Sequence, residues 1–387
     1  MNSIDMSRLY KPRSALSTPH PYSQENGPIG LHERSANSAI IQDTSPPVLR
    51  LPLNEEKRCR WQMRDQLGAS IEESAPRRSL RIGLGLLWAV DALLQMQPGM
   101  FHPAFYGNLP SNLMPSILQD LRETSPSWIT WAVRTAQWFF IHWPVAVNLG
   151  IILLQLVLAF LLSLRVPPRW RNIGLVVSVL WGLTIWVFGE ALAGVGSWGA
   201  TFYAGFPGSA FLYACAGGFL LLPAEKWHEQ TLTTLITRTT AGFLWLSGIL
   251  QLLPVNGQWD RGAQLDVFAN SGFQSQPGIL SAPVMTYSIW SSAHPVASNT
   301  LLGLTLLGAG CAVWFWRTAV WLRVGVYVWL FLAWWFGMDF GYLFSGLSTD
   351  PNTPPILFAM LWAVRPRSRT TSKLEVASRV SHTSATG

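Results

Sequence analysis

Eight apolar runs dominate this chain, and they constrain its fold more than any other feature. They cover about Leu80–Met96, Trp143–Leu164, Ile173–Leu192, Ser209–Leu222, Leu235–Val255, Ser298–Trp316, Val320–Phe340 and Pro354–Val364. A helix of roughly twenty such residues matches the hydrocarbon thickness of a bilayer. Composition agrees, since 49% of the 387 residues are hydrophobic, 12% are charged and 21 are tryptophan. The expected fold is an all-α membrane protein with eight transmembrane helices. The fourth and eighth runs are short, because the fourth's roughly fourteen residues rise only ~21 Å against a ~30 Å core and the eighth is shorter still. These helices must extend further, tilt little or begin in a pocket lined by protein.

The runs fall into two sets of four that match in order. Arg81, Gly85 and Trp88 match Arg238, Gly242 and Trp245 at one offset, and Gln95 and Pro98 fall near Gln251 and Pro254. Pro144-Val-Ala-Val-Asn148 matches Pro295-Val-Ala-Ser-Asn299, with His142 or His294 just before it. Trp170 and Gly174 match Trp321 and Gly325, Phe188-Gly189 matches Phe336-Gly337, and Thr201 matches Thr349. Such spacing reads as an internal repeat. Four spans per unit give both copies the same orientation, a parallel repeat about an axis along the membrane normal.

The basic residues set the orientation. All but Arg122, Arg134 and Arg261 of the 27 Lys and Arg lie in the tails or in loops on one side. The positive-inside rule then puts both termini in the cytoplasm of a cell with an inner membrane. The expected organisation is a disordered cytoplasmic tail at 1–79, a first four-helix membrane unit at 80–223, a second at 224–366 and a C-terminal cytoplasmic tail at 367–387. The first tail, rich in Ser, Pro, Asn and charge, has no sustained apolar period and no signal peptide. Residues 55–67 could form a short polar helix there. Two long segments, Gln97–His142 and Asn256–His294, face outward. In the first, Ser111–Leu121 is an amphipathic candidate, and Trp128–Phe140 carries the aromatic residues that suit an interface.

Composition also excludes functions. The formal charge of +7 is spread over tails and short loops, so nucleic acid is not an expected partner. Cys59, Cys215 and Cys311 are isolated. Without a Cys-x-x-Cys, an attached c-type haem, a cysteine-ligated iron–sulfur cluster and a disulfide framework are not expected.

Ionisable and amide groups in the spans are the candidate functional residues, since each is expensive in hydrocarbon. Asp91 lies inside the first span and shares a helix face with Trp88 and Gln95. Glu190 and Asp339 end the third and seventh spans, one residue out of register between the units. His142 and His294, with Asn148 and Asn299 behind them, stand at the outer entrances of the second and sixth. The histidines could ligate a metal or a b-type haem, hydrogen-bond a quinone head group, or simply cap a helix start. Asp91, Glu190, His142, His294 and Asp339 are expected to cluster toward one outer-facing, Trp-lined cavity near the junction of the units, with Gln95, Asn148 and Asn299 as further candidate polar residues. The loops before the short fourth and eighth spans, Gly205-Phe-Pro-Gly and Asp350-Pro-Asn-Thr-Pro-Pro, could present free helix N-termini there to an anion or polar head group.

Arg81-Ile-Gly-Leu-Gly-Leu-Leu-Trp88, opening a four-span unit, resembles the DoxX-like families of small four-helix membrane proteins. These include the DoxD-type subunit associated with thiosulfate:quinone oxidoreductase. The closing Trp-x-Phe-Gly-Glu and Thr-Asp-Pro-Asn blocks look more like uncharacterised bacterial integral membrane proteins. The resemblance covers 80–366 and implies a bacterial membrane component of a redox or cell-envelope process, with other membrane subunits as partners. DoxX-like proteins are single units, whereas this chain carries two, and no catalytic residue is carried over. A small-molecule or ion transporter and a non-catalytic scaffold subunit are the other readings.

Overall fold

The computed structural model describes residues 73–103, 118–119, 121–123, 125–195, 200–203, 205–228, 230–260 and 276–366. The polar segment 55–67, most of Ser111–Leu121, nearly all of the N-terminal tail and the C-terminal tail from 367 lie outside them. The described residues form helices joined by turns, with no strand among them.

Among the described residues ten helices of more than ten residues carry the fold. In the first part of the chain these are α1 (Ala75–Gln95), α2 (Ser127–His142), α3 (Pro144–Ser163), α4 (Pro168–Phe188) and α5 (Ser209–Leu221). A five-residue helix, Ala224–His228, leads to α6 (Gln230–Leu252), α7 (Gly278–Ala293), α8 (Pro295–Phe315), α9 (Val320–Met338) and α10 (Thr353–Ala363). Among the described residues four segments, α3, α4, α8 and α9 with the turn that follows it, are long and apolar enough to cross a membrane. This is an all-α membrane protein.

Proline punctuates the chain in the same way in both parts. Pro144 and Pro295 open α3 and α8, where the missing N–H is not needed. The residues before them leave the helical region, Trp143 at φ −136°, ψ 50° and His294 at φ −130°, ψ 56°. Proline disfavours the α conformation in its predecessor, so what would be one long helix breaks into 16 residues and then 20 or 21. The helix α7 escaped the sequence reading because Pro283 and four serines interrupt its apolar pattern.

Lipid-facing and inward faces separate by helical period. On α3, Leu149, Leu153 and Phe160 are exposed, while Asn148, Ile152, Gln155, Ala159 and Leu162 are buried. These sets recur every three or four residues on different faces. The short helices are the most enclosed, as Leu212, Tyr213 and Leu220 of α5 and Ile356, Met360 and Leu361 of α10 show. Close approach brings α4 onto α5, since a Cβ on Gly182 would lie 2.7 Å from the Ala210 carbonyl oxygen. The last helix, α10, packs chiefly on α1 rather than on α9, and also touches α5 and α6. That crossing carries the loop before α10 onto the N-terminal end of α5.

One feature has no sequence signal. Ala191–Gly194 and Asp339–Tyr342 are each a turn of left-handed backbone, with φ between 46° and 74° in the first and between 43° and 64° in the second. Each follows the end of a long apolar helix, α4 or α9. L-residues disfavour this region, so the surrounding contacts hold both turns in place. The carbonyl of Gly341 in the second accepts from Ser348 Oγ at 2.5 Å, and Ser348 Oγ also reaches the Asp350 carbonyl at 3.0 Å. The left-handed turn is thereby fastened to the loop before α10.

Candidate functional site: a buried carboxylate cluster

Asp91 is 2% exposed and points into the protein, not to lipid. Its Oδ1 accepts from the Tyr213 hydroxyl on α5 at 3.3 Å. Tyr213 is held edge-on to Trp88, with ring centroids 4.8 Å apart, and the Trp88 indole donates to Ser178 Oγ on α4 at 2.8 Å. Three helices thus fix the Asp91 surroundings, and the shared face of Trp88, Asp91 and Gln95 is buried throughout.

Glu190 sits two residues beyond α4. Its Oε1 accepts from Ser209 Oγ at 2.9 Å and from the Ala210 N–H at 3.2 Å. A carboxylate therefore caps α5, whose first N–H groups have no helical partner and whose dipole favours negative charge. Gly208 makes this possible twice over. It has φ +102°, and a Cβ there would collide with Glu190 Oε2 and approach Trp186 Cδ1 at 2.8 Å. The Trp186 indole donates to the Pro207 carbonyl at 3.0 Å, pinning the loop in place.

Asp350 completes the cluster from the far end of the sequence. Its Oδ1 accepts from the Asn352 N–H at 2.6 Å and from Ser209 Oγ at 3.2 Å. Asn352 precedes α10, so Asp350 lies at the start of α10 as Glu190 lies at the start of α5. The loops are tied by Thr353 Oγ1, which donates to the Gly205 carbonyl at 2.9 Å, and by the Trp334 indole, which donates to the Pro351 carbonyl at 2.7 Å. The charges of Asp350 and Glu190 both act on Asp91. Among the described residues none of the three acids is in an ion pair; those present join Glu73 to Arg81 and Arg171.

Three carboxylates without a cation strongly favour keeping a proton. Burial of its carboxylate, and then the charge of Asp350, push Glu190 up to about 7 against the hydrogen bonds from Ala210 and Ser209. Glu190 Oε2 is buried and has no hydrogen-bond partner, although the residue as a whole keeps some exposure. Burial also raises Asp350 from its ordinary value, opposed by the Asn352 N–H and the hydroxyls of Ser209 and Thr349. The Ser209 hydroxyl has one proton to donate and two carboxylates within reach. A proton on either acid lets Ser209 accept from one and donate to the other.

The remaining candidates divide. Asn148 and Asn299 do matching work in the two parts of the chain. Asn148 Nδ2 donates to the Gln95 carbonyl and Asn299 Nδ2 to the Gln251 carbonyl, both at 3.0 Å. They tie α3 to the end of α1 and α8 to the end of α6, and here Gln95 contributes its backbone. Asp339 is 1% exposed and starts the second left-handed turn, where its carbonyl accepts from Gln276 Nε2 at 2.7 Å. His142 and His294 are exposed. The contacts of each ring are to aromatic neighbours close in sequence, Trp138 and Trp143 for His142 and Trp290 for His294. The residues with matching backbone geometry are Trp143 and His294, so the counterpart of His142 is Ala293 and the expected symmetric pair of histidines is out of register. Among the described residues no group of three His, Cys, Asp or Glu is arranged to hold a metal ion.

The sequence reading missed Asp350, Ser209 and Tyr213. The Asp350-Pro-Asn block was visible as an anion-binding helix start; the anion turns out to be the chain's own carboxylate. Against family models, curated proteins and solved structures, the chain has no match.

Proposed function

We propose that this protein handles protons through the Glu190–Ser209–Asp350 cluster, within an eight-span bacterial inner-membrane protein built from two parallel copies. The architecture is supported by geometry that recurs in both parts. There are the left-handed turns at 191–194 and 339–342, the Trp143 and His294 breaks, the Asn-to-Gln-carbonyl bonds of Asn148 and Asn299, and the indole bonds of Trp186 and Trp334 to proline carbonyls. The basic residues put both termini in the cytoplasm. The acid cluster then lies at the outer side, where α4 ends and α5 begins. The Arg81–Trp88 block keeps the DoxX-like reading in place as a membrane component of a redox or cell-envelope process, with the bilayer and further membrane subunits as partners.

The observation that carries the function is the reach of Ser209 Oγ to Glu190 Oε1 and Asp350 Oδ1, acids from different copies. Proton relays within membranes are built from such acids and hydroxyls. A scaffold would gain nothing from three carboxylates gathered without a cation. The junction of the copies also favours a second reading, a proton-coupled transporter, since parallel-repeat transporters place coupling sites between their repeats.

Purified protein in sealed vesicles with an internal pH dye tests this. With a potassium ionophore present, wild type should relax an imposed pH gradient faster than empty vesicles, and Glu190→Gln and Asp350→Asn should remove the difference. A wild-type rate equal to that of empty vesicles would refute the proton-passing role.

A further inference from the structure

A second polar cluster lies at the opposite ends of the same helices. Arg81, 5% exposed, donates from Nε and Nη2 to the Glu73 carboxylate at 2.9 and 2.7 Å, and from Nη1 to the Leu162 carbonyl at the end of α3. Arg77 Nη2 donates to the Leu220 carbonyl at the end of α5 at 2.9 Å. Both arginines satisfy carbonyls that a helix C-terminus leaves open. Arg171, near the start of α4, differs. Its Nη1 is 3.8 Å from Glu73 Oε2, too far for a hydrogen bond.

Among the described residues the cluster carries more cation than carboxylate. Arg77, Arg81 and Arg171 surround Glu73, while Glu225 acts on Arg77 and the charges of Arg77 and Arg171 repel each other. Two buried donor atoms here have no partner, Arg171 Nε and Ser74 Oγ next to Glu73. Buried donors are normally satisfied. Two under-used guanidinium groups and a hydroxyl call for an anion with several oxygens, and a phosphate group supplies that number and charge.

We propose that Arg77, Arg171 and Ser74 form a phosphate-binding site at this face, for the head group of an anionic phospholipid or for inorganic phosphate. The site is independent of the carboxylate cluster. A phosphate there would tie the N-terminal ends of α1 and α4 together beside the C-terminal end of α5, whose Leu220 carbonyl Arg77 already holds.

Thermal unfolding of the full chain in neutral detergent, with phosphatidylglycerol, phosphatidylcholine or inorganic phosphate added, tests the proposal. Phosphatidylglycerol or inorganic phosphate should raise the midpoint of the wild type, and which of them does so identifies the source. Arg171→Gln loses only the long contact to Glu73, so it should unfold normally without ligand. It should need about tenfold more ligand for the same shift, the loss of one charge-assisted contact. If Arg171→Gln is unstable, Ser74→Ala gives the same reading. Equal responses of wild type and variant, an equal shift with phosphatidylcholine, or no shift with any of the three would overturn the site.

Discussion

Replacing Glu190 with glutamine should change how the protein's stability depends on pH. In the folded protein burial and the Asp350 charge raise this carboxyl from an ordinary 4.5 to about 7. A group that binds its proton more tightly when folded stabilises the fold while protonated. That contribution is complete below pH 4.5 and is lost as pH rises through 7. The difference of about 2.5 units amounts to roughly 3 kcal/mol. Thermal or denaturant unfolding in detergent should therefore show wild type losing stability between about pH 4.5 and 7. Glu190→Gln keeps the acceptor for Ser209 and Ala210 but cannot ionise, so its curve should be nearly flat over that window. At pH 8 the variant should be the more stable protein. A wild-type slope that survives in Glu190→Gln, or a variant less stable than wild type at pH 8, would refute the placement of an uncompensated carboxyl at this site.

Other perturbations follow from the same geometry. Gly208→Ala should destabilise by about 2–4 kcal/mol, combining a strained positive φ with displacement of Glu190, and a midpoint within error of wild type in a melt would contradict it. Ser209→Ala should break the hydroxyl bridge between the two acids without emptying the helix cap, so proton movement in vesicles should fall while stability drops by only about 1–2 kcal/mol. Trp186→Phe and Trp334→Phe each remove one indole bond to a proline carbonyl and should each cost about 1 kcal/mol. Very unequal losses in unfolding experiments would argue against equivalent roles. Cysteines placed at Ser271 and Ser372 test the orientation, since an impermeant reagent outside the cell should label the first only, and the reverse pattern would overturn the topology.

The sequence was informative wherever burial in lipid is expensive or backbone chemistry is local. Pro144 and Pro295 marked the starts of α3 and α8 because proline suits a first turn, and the apolar runs behind them left no choice but a helix. Asp91 and Glu190 were visible because an acid beside or within an apolar run demands a reason. Asp350 was not, because an acid beside a proline in a loop is ordinary until α10 packs on α1 and lays that loop on α5. Ser209 and Tyr213 were hidden because a hydroxyl in an apolar helix is cheap and common. The histidines differ by one residue of register, since His142 stands two residues before its proline and His294 one, and the matching backbone at Trp143 and His294 follows the prolines rather than the histidines. Left-handed turns at Ala191-Leu192-Ala193 lack the glycines that announce them, and they exist because tertiary contacts override local preference.

The most direct test of the central claim is infrared titration of the carboxyl groups in the purified protein. Wild type should show a carboxylic acid C=O band that persists to neutral pH and titrates near pH 7, where an ordinary glutamate is fully ionised. The band should vanish in Glu190→Gln, and it should shift in frequency in Asp350→Asn and Ser209→Ala as the shared hydrogen bond is lost. A wild-type spectrum with every carboxyl ionised at neutral pH, or a band unaltered in all three variants, would contradict a proton held between Glu190 and Asp350.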